Sequence, residues 1–254
     1  MLRLVTIPIS HYCEKARWAL ERAGIAYREE PHVQGLHRLY ARRAGGGATV
    51  PVLVTSEGAI GESAEILAWV DARVEPELRI LGEGPQAAEV QALCRRLDER
   101  LGPHGRRLIY VRMFEQPELL LRFNNQGVPR WEDRALRAGL PFAQRFIAKA
   151  LDIRPGVEAH DEAVVWQELD WVAELLSDGR PFLAGERFTA ADLTFAALAA
   201  PITLPSRYGV ELPPLELLDA PTTALVRRGR EHPAGRFALR MVAEQRTAAP
   251  AATI

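Results

Sequence analysis

An α/β unit followed by an all-helical unit is the fold class that this 254-residue sequence predicts. Three observations carry it. Strand-like and helix-like periods alternate through residues 1–78, residues 79–85 form a short Gly- and Pro-containing linker, and over 86–246 apolar residues recur at helical spacing alone. Residues 247–254 are expected to be a frayed tail.

The first strand is the β-like run Leu2 to Ile7. Ser10-His11-Tyr12-Cys13 then turns directly into a helix whose buried stripe is Ala16, Ala19, Leu20 and Ala23, and Gly24 stops it. Ile25 to Glu30 reads as a second strand, so β-α-β closes within thirty residues and the two strands are parallel. At the start of that first helix four N–H groups lack partners and the macrodipole adds roughly half a positive charge. An anion is stabilised there, and a thiolate, of the protein or of a ligand, is one candidate.

His32 to Arg43 carries Leu36, Leu39 and Tyr40 at helical spacing, ended by Gly45-Gly46-Gly47. Val50-Pro51-Val52-Leu53-Val54 is a strand with proline at its beginning, where a ladder tolerates it. Thr55 to Gly58 forms a hairpin tip, Ala59-Ile60 returns, and Gly61-Glu62-Ser63 opens a helix bearing Ile66, Leu67, Trp69 and Val70.

Past the linker, Val90, Leu93, Cys94, Leu97 and Leu101 mark one helical face, with Cys94 a small core residue. Gly102-Pro103 breaks or kinks this helix before Leu108 to Phe114 resumes it, and residues 116–156 read as several helices joined by turns. His160 to Leu176 is amphipathic. Thr189 caps the next helix while Asp192 reaches back, a structural signal, and the nearly uncharged helix behind it is the expected centre of the second unit. Ala220-Pro221 precedes a helix through Leu225, and His232-Pro233 begins the last one.

Hydrophobic residues make up 48% and charged residues 26%, ordinary globular values, in a chain long enough for two domains. A net charge of −1 gives no field that would recruit nucleic acid or an anionic membrane, so neither partner is expected. The pairs Arg42-Arg43, Arg95-Arg96, Arg106-Arg107 and Arg227-Arg228 are interspersed with acids and read as solvated surface. Cys13 and Cys94, the two cysteines, form neither a disulfide framework nor a zinc spacing, which fits a reducing, cytoplasmic setting. The least polar segment, Leu193 to Ile202, is far shorter than the ~20 residues of a membrane span. His32 and His37 lack a third ligand at a useful spacing, so no metal is expected.

Ser10-x-x-Cys13, Val50-Pro51, Glu62-Ser63 and Gly185 to Asp192, in this order, resemble the glutathione transferases, which join a thioredoxin-like N-terminal domain to an all-helical C-terminal domain. The resemblance implies a Ser-type site in which Ser10 donates to the sulfur of glutathione, the co-substrate. It further implies a cis Val50-Pro51 peptide, with the Val50 backbone pairing with the cysteinyl part of the tripeptide. Ser63 would hold the γ-glutamyl carboxylate and Glu62 its amino group, with Cys13, His37 and Pro51 also at the glutathione site. Tyr12, Tyr110 and Phe114 are the acceptor-site candidates. The implied reaction conjugates glutathione to a small hydrophobic electrophile, as in detoxification, in a homodimer.

Two departures bear on the chemistry. Family members that form mixed disulfides with glutathione carry cysteine where Ser10 stands, which argues against a thiol oxidoreductase using Cys13. Ala48 occupies a position at which serine-type members often carry a polar side chain, so the glycyl carboxylate needs another cation, His37 or Arg38. Ala48 also keeps open a second class of function, a transferase-fold binding module without turnover. Residues 116–156 are extended relative to smaller relatives and either wall the acceptor pocket or lengthen the helical core.

Overall fold

Four strands and thirteen α-helices make up the computed structural model, which describes residues 1–246; the tail expected at 247–254 lies outside the described residues. β1 (Leu2–Thr6), α1 (His11–Arg22) and β2 (Tyr27–Pro31) form the expected β-α-β, with β1 and β2 parallel from Leu2 opposite Tyr27 to Thr6 opposite Pro31. α2 (His37–Arg43) follows, then the hairpin β3 (Val52–Thr55) and β4 (Gly58–Ile60), then α3 (Ser63–Asp71). β1 pairs antiparallel with β3, giving the order β2-β1-β3-β4. α2 is shorter than the period from His32 predicts, because Gly35 at φ +90° holds a turn that L side chains rarely adopt.

The helical unit comprises α4 (Gly84–Glu99), α5 (Leu101–Met113), α6 (Pro117–Asn124), α7 (Arg130–Ala138), α8 (Leu140–Ala150) and α9 (Val157–Leu175). It continues with α10 (Ala190–Leu198), α11 (Ala200–Thr203), α12 (Ala220–Glu231) and α13 (Pro233–Gln245). The break between α4 and α5 falls at Arg100, ahead of Gly102-Pro103. Pro103 therefore stands in the first turn of α5, where its missing N–H costs no helical bond. Ala220-Pro221 lies inside α12 for the same reason, the turn being capped by Asp219, which accepts from Thr222 N at 2.7 Å.

α1 packs against α3 on one side and α10 on the other, so one apolar cluster runs from Leu4 and Leu20 through Leu67 and Leu97 to Leu193 and Phe237. α10 is buried along its whole length. Its start is fixed by Asp192, whose carboxylate accepts from Thr189 N at 2.7 Å, Thr189 Oγ1 at 2.9 Å and Leu183 N at 2.7 Å. Cys94 packs beside it, receiving a hydrogen bond from Thr194 Oγ1 at 3.5 Å.

The arginine pairs divide. Arg42, Arg43, Arg95, Arg227 and Arg228 are exposed as solvated charges. Arg96 and Arg107 instead pair with the fully buried Glu168 and Asp161, at 2.8 and 2.6 Å, which corrects the surface reading for those two. A buried carboxylate is tolerated only when it is bonded, and these acids draw cations from neighbouring helices that no local pattern announces.

α6, α7 and α8 grip the α/β unit. Glu132 of α7 is fully buried, meets His32 Nδ1 at 2.9 Å and accepts from Val33 N at 3.1 Å. Gln34 continues the seam, hydrogen-bonded to Tyr110 of α5 and Asn124 of α6. Among the described residues no helix is long and apolar enough to cross a membrane.

Candidate active site

The β1–α1, β2–α2 and pre-β3 loops open on one side of a cavity of about 300 Å³, and α5, α6 and α8 close the other. On the α/β side stand Ser10, His37, Arg38, Ala48, Thr49 and Val50. Ile109, Tyr110 and Met113 of α5, Phe123 of α6, and Phe146 and Ile147 of α8 supply an apolar opposite face. Within residues 116–156, α6 and α8 wall this cavity.

Ser10 is the N-cap of α1, and its hydroxyl accepts from Cys13 N at 3.4 Å. It therefore meets the cavity at the positive end of a twelve-residue helix. Cys13 is turned inward and fully buried, away from the cavity wall. Burial pushes its thiol up to about 11, against the Arg17 charge and a Ser10 hydrogen bond, so the thiol stays protonated at neutral pH.

Val50-Pro51 is a cis peptide, with Val50 on the cavity wall and Pro51 buried behind it. Glu62 and Ser63 do not line the cavity but adjoin it, because Glu62 Oε1 accepts from Thr49 Oγ1 at 2.9 Å. Glu62 holds φ +48°, a left-handed conformation that a non-glycine residue adopts at a cost of order 1–3 kcal/mol. Ser63 is buried as the first residue of α3.

Tyr12 lines the cavity, yet its hydroxyl is committed to the Asp98 carbonyl at 2.9 Å. A Cβ on Gly102 would stand 2.1 Å from that hydroxyl, so the bare glycine admits the ring. Tyr110 reaches the cavity with its hydroxyl in the Gln34 and Asn124 seam, and burial pushes its pKa up to about 12. Phe114 shares a helical face with Tyr110 but is the C-cap of α5 and does not line the cavity; Ile109 and Met113 do. His37 Nδ1 accepts from Gly35 N at 3.1 Å, and burial lowers its pKa to about 4. It is neutral at pH 7, which leaves Arg38 as the cation of α2 in the wall.

Residues 4–78 match the family described as glutathione S-transferase, N-terminal domain. A glutathione S-transferase from Sinorhizobium meliloti superposes with a TM-score of 0.60 at 20% identity, covering 100% of this chain and 96% of that one. The fold is that of the glutathione transferase superfamily. A second such transferase, from Xanthobacter autotrophicus, gives 0.61 at 18% identity over 96% and 93% of the two chains. Glutathione S-transferase-I bound with lactoylglutathione gives 0.55 at 17% identity over 94% and 99%. No curated protein matches the chain.

Against this glutathione transferase fold, sequence reasoning missed His11 and Arg106. His11 is buried in the cavity wall, its Nε2 without a hydrogen-bond partner, and burial and the nearby Arg106 charge lower its pKa to about 3. The sequence groups Arg106 with the surface arginines, and only tertiary placement distinguishes it. A second polar group, His104, His160 and Asp161, brings possible ligand atoms within 4.8 Å of one another, but Arg107 already binds both oxygens of Asp161 at 2.6 Å.

Proposed function

We propose that this protein binds glutathione along the loops carrying Ser10, Val50 and Glu62-Ser63 and conjugates it to a hydrophobic electrophile held against α5, α6 and α8. One observation carries the reading: three loops distant in sequence converge on one cavity at the α1 N-terminus, with Ser10 and Val50 in its wall and Glu62 tied in through Thr49. A free thiol has a pKa near 8.5, so a few per cent is thiolate at pH 7. A hydrogen bond donated by Ser10 to the sulfur, together with the helix dipole, favours the thiolate, and each pKa unit corresponds to about 1.4 kcal/mol. The thiolate attacks the electrophilic carbon; Ser10 stays a donor throughout. Arg38 takes the glycyl carboxylate, the role that neutral His37 and apolar Ala48 leave open. The neighbour that carries lactoylglutathione supports the choice of ligand. A homodimer belongs to this reading and is checked by light scattering.

A binding module without turnover is the second reading, and Ala48 favours it. The oxidoreductase alternative is disfavoured, since Cys13 is buried and protonated. Calorimetric titration with glutathione tests the proposal, followed by conjugation of an aryl halide. Submillimolar to millimolar affinity with turnover is expected. Binding without turnover on any electrophile class favours the module, and no binding at millimolar glutathione overturns the enzyme reading.

A further inference from the structure

The cavity wall is electrostatically one-sided. Among the described residues no carboxylate lines it, and the titratable side chains there are two histidines, three tyrosines, Arg38 and Arg106. Burial keeps His11 and His37 neutral and pushes Tyr12, Tyr110 and Tyr208 upward, so both histidines and all three tyrosines are uncharged at pH 7. The two guanidiniums are the charges that remain.

They stand on opposite walls. Arg38 belongs to α2 and, on the reading above, meets the tripeptide. Arg106 belongs to α5, one turn before Ile109 and Tyr110 on the acceptor wall. Its Nε is buried without a hydrogen-bond partner, and no carboxylate among the described residues lies within ion-pair distance. The Tyr12 ring lies 5.8 Å from its guanidinium carbon, and its charge is felt by His11 and Tyr110. The other partly buried arginines of α4 and α5, Arg96, Arg107 and Arg112, each pair with a carboxylate. A half-buried guanidinium without a counterion, beside apolar side chains, suits a ligand oxyanion, because that bond is charge-assisted and bidentate.

We infer that Arg106 determines acceptor specificity by anchoring a carboxylate carried on an otherwise hydrophobic ligand. The inference rests on the proposed placement of glutathione, which assigns α5 to the acceptor. A charge-assisted pair of this kind corresponds to roughly tenfold to hundredfold in affinity.

The test compares binding of 2-naphthoate with its neutral isostere 2-naphthamide, by fluorescence titration, to the wild-type protein, R106M and R106K. Each titration is run with and without S-methylglutathione, which occupies Arg38, and the affinity for glutathione is measured beside them. The wild type is expected to prefer naphthoate by at least tenfold with S-methylglutathione present. R106M loses that preference, R106K keeps part of it, and glutathione affinity changes by less than twofold. Equal affinity of the wild type for both probes overturns the inference, as does a preference that survives in R106M. A loss in R106M confined to glutathione also overturns it, by assigning Arg106 to the tripeptide. If glutathione itself fails to bind, the proposed function fails, while the naphthoate comparison without S-methylglutathione still reads Arg106.

Discussion

The two walls of the cavity are built on opposite plans. On the α/β side, loops present backbone and small groups: Ser10 at the start of α1, and Ala48, Thr49 and Val50 ahead of β3. On the helical side, long side chains from α5, α6 and α8 present hydrocarbon, with one guanidinium among them. A fixed ligand needs the first kind of surface, since backbone groups do not change rotamer. A variable one needs the second, since apolar contact is non-directional and substitution there alters shape without unpairing a hydrogen bond. On the proposed function, the contrast separates what would recognise the tripeptide from what would select its partner.

The largest effect expected comes from the seam that holds the helical wall in place. Glu132→Ala leaves His32 and the Val33 amide buried without their acceptor, and a loss of about 3 kcal/mol of stability is predicted, read as a lower urea midpoint. Retained glutathione affinity in the folded fraction, with weakened acceptor binding, would confirm that the walls are separable.

Next in size is the polar wall itself. Ser10→Ala should lower kcat/KM by about thirtyfold, roughly 2 kcal/mol, while the apparent affinity for a hydrophobic product analogue stays within twofold. An equal loss in both would mean that Ser10 shapes the whole cavity.

Of similar size is a pH effect centred on His11. Its pKa is lowered to about 3 by burial, so below the unfolded value of about 6.5 the unfolded chain binds the proton and the folded chain does not. Stability is therefore undiminished above pH 6.5 and falls as the pH drops toward 3, by about 2 kcal/mol at pH 5. Urea midpoints at pH 7 and pH 5 should show this loss in the wild type and a smaller one in His11→Asn.

Cys13→Ala is the smallest perturbation, about 1 kcal/mol of stability from a buried sulfur, with the conjugation rate unchanged. A rate collapse in this variant alone would restore the oxidoreductase reading.

Legibility in the sequence follows the range of the interactions. The β-α-β unit, the hairpin at Thr55–Gly58 and the Thr189–Asp192 cap rest on neighbours a few residues apart, and local pattern suffices for them. The polar loops at Ser10, Val50-Pro51 and Glu62-Ser63 stand out only together, through their resemblance to the glutathione transferases, since each alone reads as an ordinary cap or turn. By contrast, Glu132 meets His32 across a hundred residues, Gln34 meets Asn124 across ninety, and Arg106 differs from Arg107 by its tertiary surroundings alone. Tyr110 and Phe114 show the limit within one helix. Spacing puts both on one face, but α5 ends at Met113, so Phe114 is carried past the cavity that Tyr110 enters.

The central claim is that the sulfur of glutathione rests at the α1 N-terminus beside Ser10. A crystal structure with glutathione soaked in tests it most directly. The account predicts the sulfur within hydrogen-bonding distance of Ser10 Oγ and the cysteinyl backbone paired with Val50. A sulfur bonded to Cys13, or a tripeptide lodged away from these loops, would contradict it.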